Sequence, residues 1–180
     1  MIIIMFLNFG ITTEYIYAYH NIAGHPRALE YNPSSNSIYL VNENTDDVSV
    51  IDGNTDHVIK LIKVGDLPAG VVYNPSNKAI YVANRYSNSV SVIDSFTYNV
   101  TDTIEVGDKP FSLAYNPSNK AIYVGNLGSK DVSVIDSRTN EEVEVIDTGT
   151  QPIALAYNPS NENIYVANYG SNDFSIISKP

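Results

Sequence analysis

The sequence predicts an all-β repeat fold, and three observations carry that prediction. A Tyr-Asn-Pro-Ser motif stands at Tyr31, Tyr73, Tyr115 and Tyr157, a constant step of 42 residues with no insertion or deletion between copies. A second phrase, Ile-Tyr-(Val/Leu)-(Val/Ala/Gly)-Asn, keeps the same step at 38–42, 80–84, 122–126 and 164–168. Finally, no window shows helical periodicity, whereas short runs rich in β-branched residues alternate with Asn, Asp, Pro and Gly.

The unit spanning 68–109 shows how one repeat is punctuated. Residues 71–73 form a first apolar run, and Asn74-Pro75-Ser76-Asn77 places Asn and Pro at the first two positions of a type I turn. Residues 79–83 read as a second strand and 84–88 as a polar loop. Ser-Val-Ser-Val-Ile at 89–93 reads as a third strand, and Asp94 opens another turn. A fourth run at 99–106 ends at Gly107 before Pro110 restarts the cycle. Four short strands per 42 residues make the blade of a β-propeller, and this chain offers four such blades.

Strand polarity sets the order within a blade. The second and third strands are apolar on both faces, as strands sandwiched between neighbouring blades must be. The fourth carries Lys60, Asp102 and Glu144 at one matched position and Lys63, Glu105 and Asp147 at another. It is expected at the solvent edge, where charge discourages pairing with other chains.

Tyr-Val-Ala-Asn at 81–84, Val-Ser-Val-Ile-Asp at 48–52, 90–94 and 132–136, Val-Gly-Asp-x-Pro and Ala-Tyr-Asn-Pro-Ser recur in order and in register. Together they resemble the YVTN-repeat β-propellers of archaeal surface-layer proteins and other bacterial and archaeal surface proteins, over roughly residues 16–177. The family's eponymous Thr is Val, Ala or Gly at positions 41, 83, 125 and 167, and such propellers usually have about seven blades. The resemblance implies a cell-surface or secreted location.

The chain divides into an N-terminal apolar segment, 1–15, and a propeller domain, 16–180. The first segment is too short to span a bilayer. It reads either as a signal remnant or as a degenerate half-repeat, since 6–10 align with 48–52. Tyr17 to Ile22 align with an outer strand, while the last repeat has no fourth strand. The N-terminal strand is therefore expected to complete the last blade and close a four-bladed ring. The alternatives are an open partial propeller or a two-chain ring, so the expected state is a monomer or a homodimer.

Ten Lys and Arg against twenty Asp and Glu leave a formal charge of -10, which argues against a nucleic-acid partner. The chain has no cysteine, which removes thiolate chemistry. Asp52-Gly53-Asn54-Thr55-Asp56 has the D-x-N-x-D spacing of a calcium loop, but His57 stands where Gly is required and Lys63 where the bidentate Glu should be. An Asx turn is the simpler reading. The histidines, His20, His25 and His57, have no metal-pair spacing, and no nucleophile elbow, zincin motif or phosphate loop is present. No catalytic residue, metal or cofactor is assigned.

In every blade, the Tyr of 39, 81, 123 and 165 is expected to pack between blades, and the Asn of 42, 84, 126 and 168 to cap the following loop. Binding specificity is expected where the repeats differ. The loops 43–47, 85–89, 127–131 and 169–173, with those leading into each first strand, should emerge on one rim. The candidate binding residues there are Glu43, Asp46, Asp47, Asp66, Arg85, Tyr86, Asp108, Lys109, Lys130, Asp131, Tyr169 and Asp173. Carboxylates outnumber cations, which favours a basic or cationic protein or surface-glycan partner. Asn99-Val100-Thr101 is the sole N-x-S/T acceptor.

The function expected is therefore that of a non-enzymatic surface or secreted scaffold and protein-interaction module. The rivals are a lactonase-like metal-dependent hydrolase and a fragment of a larger propeller. The first-strand starts, Arg27, Ala69, Phe111 and Ile153, offer no convergent metal ligands for the hydrolase.

Overall fold

The computed structural model describes residues 24–178. They form fifteen strands in four antiparallel sheets. The first sheet holds β1 (Pro26–Asn32), β2 (Ser37–Asn42), β3 (Asp47–Asp52) and β4 (Val58–Lys63), in that spatial order. The second holds β5 (Pro68–Asn74), β6 (Ala79–Asn84), β7 (Ser89–Asp94) and β8 (Val100–Glu105), and the third β9 (Pro110–Asn116), β10 (Ala121–Asn126), β11 (Asp131–Asp136) and β12 (Glu141–Asp147). The last contains β13 (Pro152–Asn158), β14 (Asn163–Asn168) and β15 (Asp173–Ile177). These are β-propeller blades, as the repeat predicts. First strands begin at the Pro of each repeat, two or three residues earlier than the apolar run alone suggests, because the chain pairs again beyond a bulge next to that Pro.

The Tyr-Asn-Pro-Ser turn is built by its Asn. The Oδ1 atoms of Asn32, Asn74, Asn116 and Asn158 each accept the backbone N–H two residues on, at 2.9 Å. The Tyr of the motif links neighbouring blades through its hydroxyl. Tyr73 meets Ser34 Oγ at 2.6 Å, Tyr115 meets Ser76 Oγ at 2.5 Å and Tyr157 meets Ser118 Oγ at 2.9 Å.

Hydrophobic cores lie between blades. Tyr39, Val41 and Val50 of the first pack with Tyr73, Ile80, Val82 and Ile93 of the second. Tyr81, Val90 and Val92 then pack with Ile122, Val124 and Ile135, and Tyr123, Val132 and Val134 with Ile164 and Val166. Strands β6 and β10 are consequently buried on both faces, whereas β4, β8 and β12 are largely exposed. Gly125 stands where the other blades carry Val or Ala, and an added Cβ there would lie 2.7 Å from Leu155 Cδ1.

The blades form an open arc. Strands β1, β5, β9 and β13 pack side by side in succession, and the described sheets do not close into a ring. Leu29 and Tyr31 at one end, and Phe174 and Ile176 at the other, leave half or more of their surface in solvent. The segment 1–15 and the strand at 17–22 expected to complete the last blade lie outside the described residues.

Candidate functional site

At one rim, each loop after the second strand is pinned from beneath by the Asn that ends that strand. Asn42 Nδ2 donates to Asp47 Oδ1 and Ser49 Oγ, both at 2.8 Å. Asn84 donates to Ser89 and Ser91, Asn126 to Asp131 and Ser133, and Asn168 to Asp173 and Ser175. These are the loop caps the sequence predicts. The two sets of rim segments also meet as expected, because the backbone N–H groups of Glu43, Arg85, Leu127 and Tyr169 donate to the carbonyls of His25, Leu67, Lys109 and Gln151 at 2.9–3.1 Å.

A further bond ties one blade to the next. Asp46 Oδ1 accepts the N–H of Leu67 at 2.9 Å, and Asn88 Oδ1 accepts that of Lys109 at 3.0 Å. Donors and acceptors here are 21 residues apart, so this clamp is invisible to any local reading of sequence.

The rim carboxylates are mostly engaged within the frame. Asp47 is buried and also accepts from Thr45 and, at 3.4 Å, from Lys63. Asp131 and Asp173 accept from their Asn and from Ser129 and Ser171. Glu43 pairs with Arg27 at 3.5 Å, and Asp108 lies 3.9 Å from Lys109 Nζ. Asp66 contributes its carbonyl to Tyr86 N–H. Counting charges along the sequence could not show which oxygens were already taken.

The cations behave differently. Arg85, Lys109 and Lys130 line one cleft of about 760 Å³, together with Leu127, Gly128, Thr150, Gln151, Tyr169 and Gly170. No Asp or Glu lines it. Arg85 lies 5.6 Å from the Tyr86 ring centroid and 5.8 Å from that of Phe111, to which Arg27 lies at 5.0 Å. Arg85 Nε is buried with no hydrogen-bond partner among the described residues.

The opposite rim carries the Asp turns. Asp52 Oδ1 accepts from Asn54 N, Thr55 N and Thr55 Oγ1, which is the Asx turn rather than an ion-binding loop. Those N–H groups hold its carboxyl below the usual range, as Thr97 and Phe96 do for Asp94. Arg138 holds that of Asp136 down to about 2. His57 is exposed at this rim, while His25 sits across the protein with Nδ1 against Asn44. Among the described residues no group of three or more His, Cys, Asp or Glu is placed to hold a metal ion.

The family model of the cytochrome D1 heme domain matches residues 33–171. Hydrazine synthase from Kuenenia stuttgartiensis is similar at 25% identity and a TM-score of 0.77, over 90% of this chain and 48% of that one. A functionally unknown protein from Desulfotomaculum acetoxidans is similar at 13% identity and a TM-score of 0.78, over 94% and 60%. A chain of the mitotic checkpoint complex is similar at 13% identity and a TM-score of 0.81, over 94% and 54%. The chain thus spans about half the length of these structures, and no curated protein matches it.

A heme held in the cleft would need an axial ligand, commonly His, Cys, Met or Tyr. No His, Cys or Met lines the cleft, and Tyr169 alone has a side chain of that kind. The lining of this cleft therefore does not fit a heme held through imidazole, thiolate or thioether. The match nonetheless covers well over half of the chain and coincides with the blades, and by that measure the chain belongs to the cytochrome D1 heme domain family.

Proposed function

We propose that the chain is a non-enzymatic β-propeller module, at the cell surface or secreted, that binds a partner through the rim carrying its variable loops. One observation carries this reading. Residues 43, 85, 127 and 169 make the same backbone bond in the same frame, yet they are Glu, Arg, Leu and Tyr. A position whose backbone is held identically while its side chain runs from acid to base to apolar to aromatic is not serving the frame. The exposed apolar faces at both ends of the arc support a scaffold that further blades complete, from a second copy or from a longer protein.

The test immobilises the chain and measures retention of cell-envelope proteins. Leu127→Asp or Tyr169→Ala should abolish retention, while Lys78→Glu or Lys120→Glu on the opposite rim should leave it intact. Loss only with the opposite-rim variants would overturn the choice of face.

Family membership favours a second reading, a heme-binding or redox domain. Titration with hemin checks it: a Soret shift that Tyr169→Phe removes would support heme, and an unshifted band would exclude it.

A further inference from the structure

The cleft of about 760 Å³ has the size of a small-molecule site, and it is the wrong sign for this protein. The chain carries -10 overall, yet three of its ten Lys and Arg line this one cleft with no carboxylate among the lining residues. Lys109 is partly offset by Asp108 at 3.9 Å. Arg85 and Lys130 form no ion pair among the described residues, and Arg85 Nε is buried without an acceptor.

Lys130 supplies an independent observation. It occupies the position of Asp46 and Asn88, whose side chains clamp the pre-proline N–H of the next blade. Lysine has no acceptor, so the Gln151 N–H receives no such bond from it. The backbone stays in the left-handed region, at φ 66° against 53° and 50° for Asp46 and Asn88, where Asp and Asn are better tolerated than Lys. The fold thus gives up a bond between blades at this one step, and the same exchange places a cation in the cleft. A local choice that works against the frame points to a ligand.

We propose that the cleft binds a small organic oxyanion, a polycarboxylate or a phosphate ester, through Arg85, Lys109 and Lys130. Arg85 supplies the planar fork that suits an oxyanion, and its stacking on aromatic rings holds that fork in place. Lys130 and Lys109 add charge from the neighbouring blade edge, and the ring of Tyr169 offers an apolar wall for a carbon skeleton.

This inference rests on reading the rim as the binding surface, and the experiment separates the two. Citrate and inorganic pyrophosphate are titrated into the full chain by calorimetry at fixed ionic strength, and thermal unfolding is followed with each. At least one probe should bind saturably and raise the melting temperature. Lys130→Asn should weaken that binding by roughly tenfold or more, the factor expected for one lost charge-assisted contact. The same variant should melt higher than the parent without ligand, since it restores the clamp. Arg85→Lys, which keeps charge and loses the fork, should also bind more weakly, and Lys78→Gln on the opposite rim should bind as the parent does.

Citrate binding without pyrophosphate binding assigns a carboxylate ligand, and the reverse assigns a phosphate. Absence of saturable binding by both probes, or equal binding by parent and Lys130→Asn, overturns the proposal. If the probes fail while Leu127→Asp still abolishes partner retention, the oxyanion site falls and the rim reading stands. If a probe binds while retention ignores the rim, the rim reading falls instead.

Discussion

The two rims of the arc are made from the same repeat and follow different rules. On the rim of the Tyr-Asn-Pro-Ser turns, the side-chain bonds recur from blade to blade: Asn to backbone within the turn, and Tyr hydroxyl to the Ser of the preceding blade. On the other rim the Asn caps beneath each loop repeat, as do the Ser87, Ser129 and Ser171 hydroxyls that accept the N–H groups of Asp66, Asp108 and Thr150, while residues 43, 85, 127 and 169 differ in every blade. Repetition marks what holds the frame. Departure, when the backbone beneath it is unchanged, marks what the frame presents.

The largest effect should come from the repeated base. Asn84→Ala removes two buried hydrogen bonds, to Ser89 and Ser91, and leaves both hydroxyls without their donor. Denaturant unfolding should show a loss of about 2–4 kcal/mol. A loss no larger than that of a tip substitution would mean that the Asn caps do not hold the frame.

Next in size is the Tyr–Ser link. Tyr115→Phe deletes the bond to Ser76 Oγ at a partly exposed site, and stability should fall by about 0.5–1.5 kcal/mol. Tyr73→Phe and Tyr157→Phe should behave alike, since each removes the equivalent bond.

Acid titration probes the Asp turns of that same rim. The carboxyls of Asp52, Asp94 and Asp136 are held below their ordinary value by the groups that donate to them. A depressed folded-state pKa favours folding above the unfolded value of about 4, and that contribution disappears as pH falls toward the folded value, about 2 for Asp136. The melting temperature should therefore fall between pH 4 and about 2. Asp136→Asn should flatten part of that slope.

The smallest effects belong to the tips. Tyr169→Ala and Tyr86→Ala, both exposed, should change stability by about 0.5 kcal/mol or less.

The frame was legible because the step of 42 residues never slips, so turn residues, the interblade Tyr and the Asn cap could be assigned from one blade and carried to the rest. The use of individual rim oxygens was not legible. Asp47, Asp131 and Asp173 count as free negative charge in a sequence, and only coordinates show them accepting from Asn42, Asn126 and Asn168. Lys130 falls between these cases. Aligning 46, 88, 130 and 172 gives Asp, Asn, Lys and Asn, so the odd residue was visible, but its cost depends on a bond to the next blade that no local pattern encodes.

Lys130 departs from the frame at a cost in stability. The reciprocal exchange tests it directly, with Lys130→Asn and Asn88→Lys compared by thermal unfolding in the absence of ligand. Restoring the clamp should raise the melting temperature by a few degrees, and removing it from Asn88 should lower it by a similar amount, in line with one hydrogen bond of about 1 kcal/mol gained or lost. An unchanged or lower melting temperature for Lys130→Asn would contradict this cost, because position 130 would then be suited to lysine on structural grounds alone.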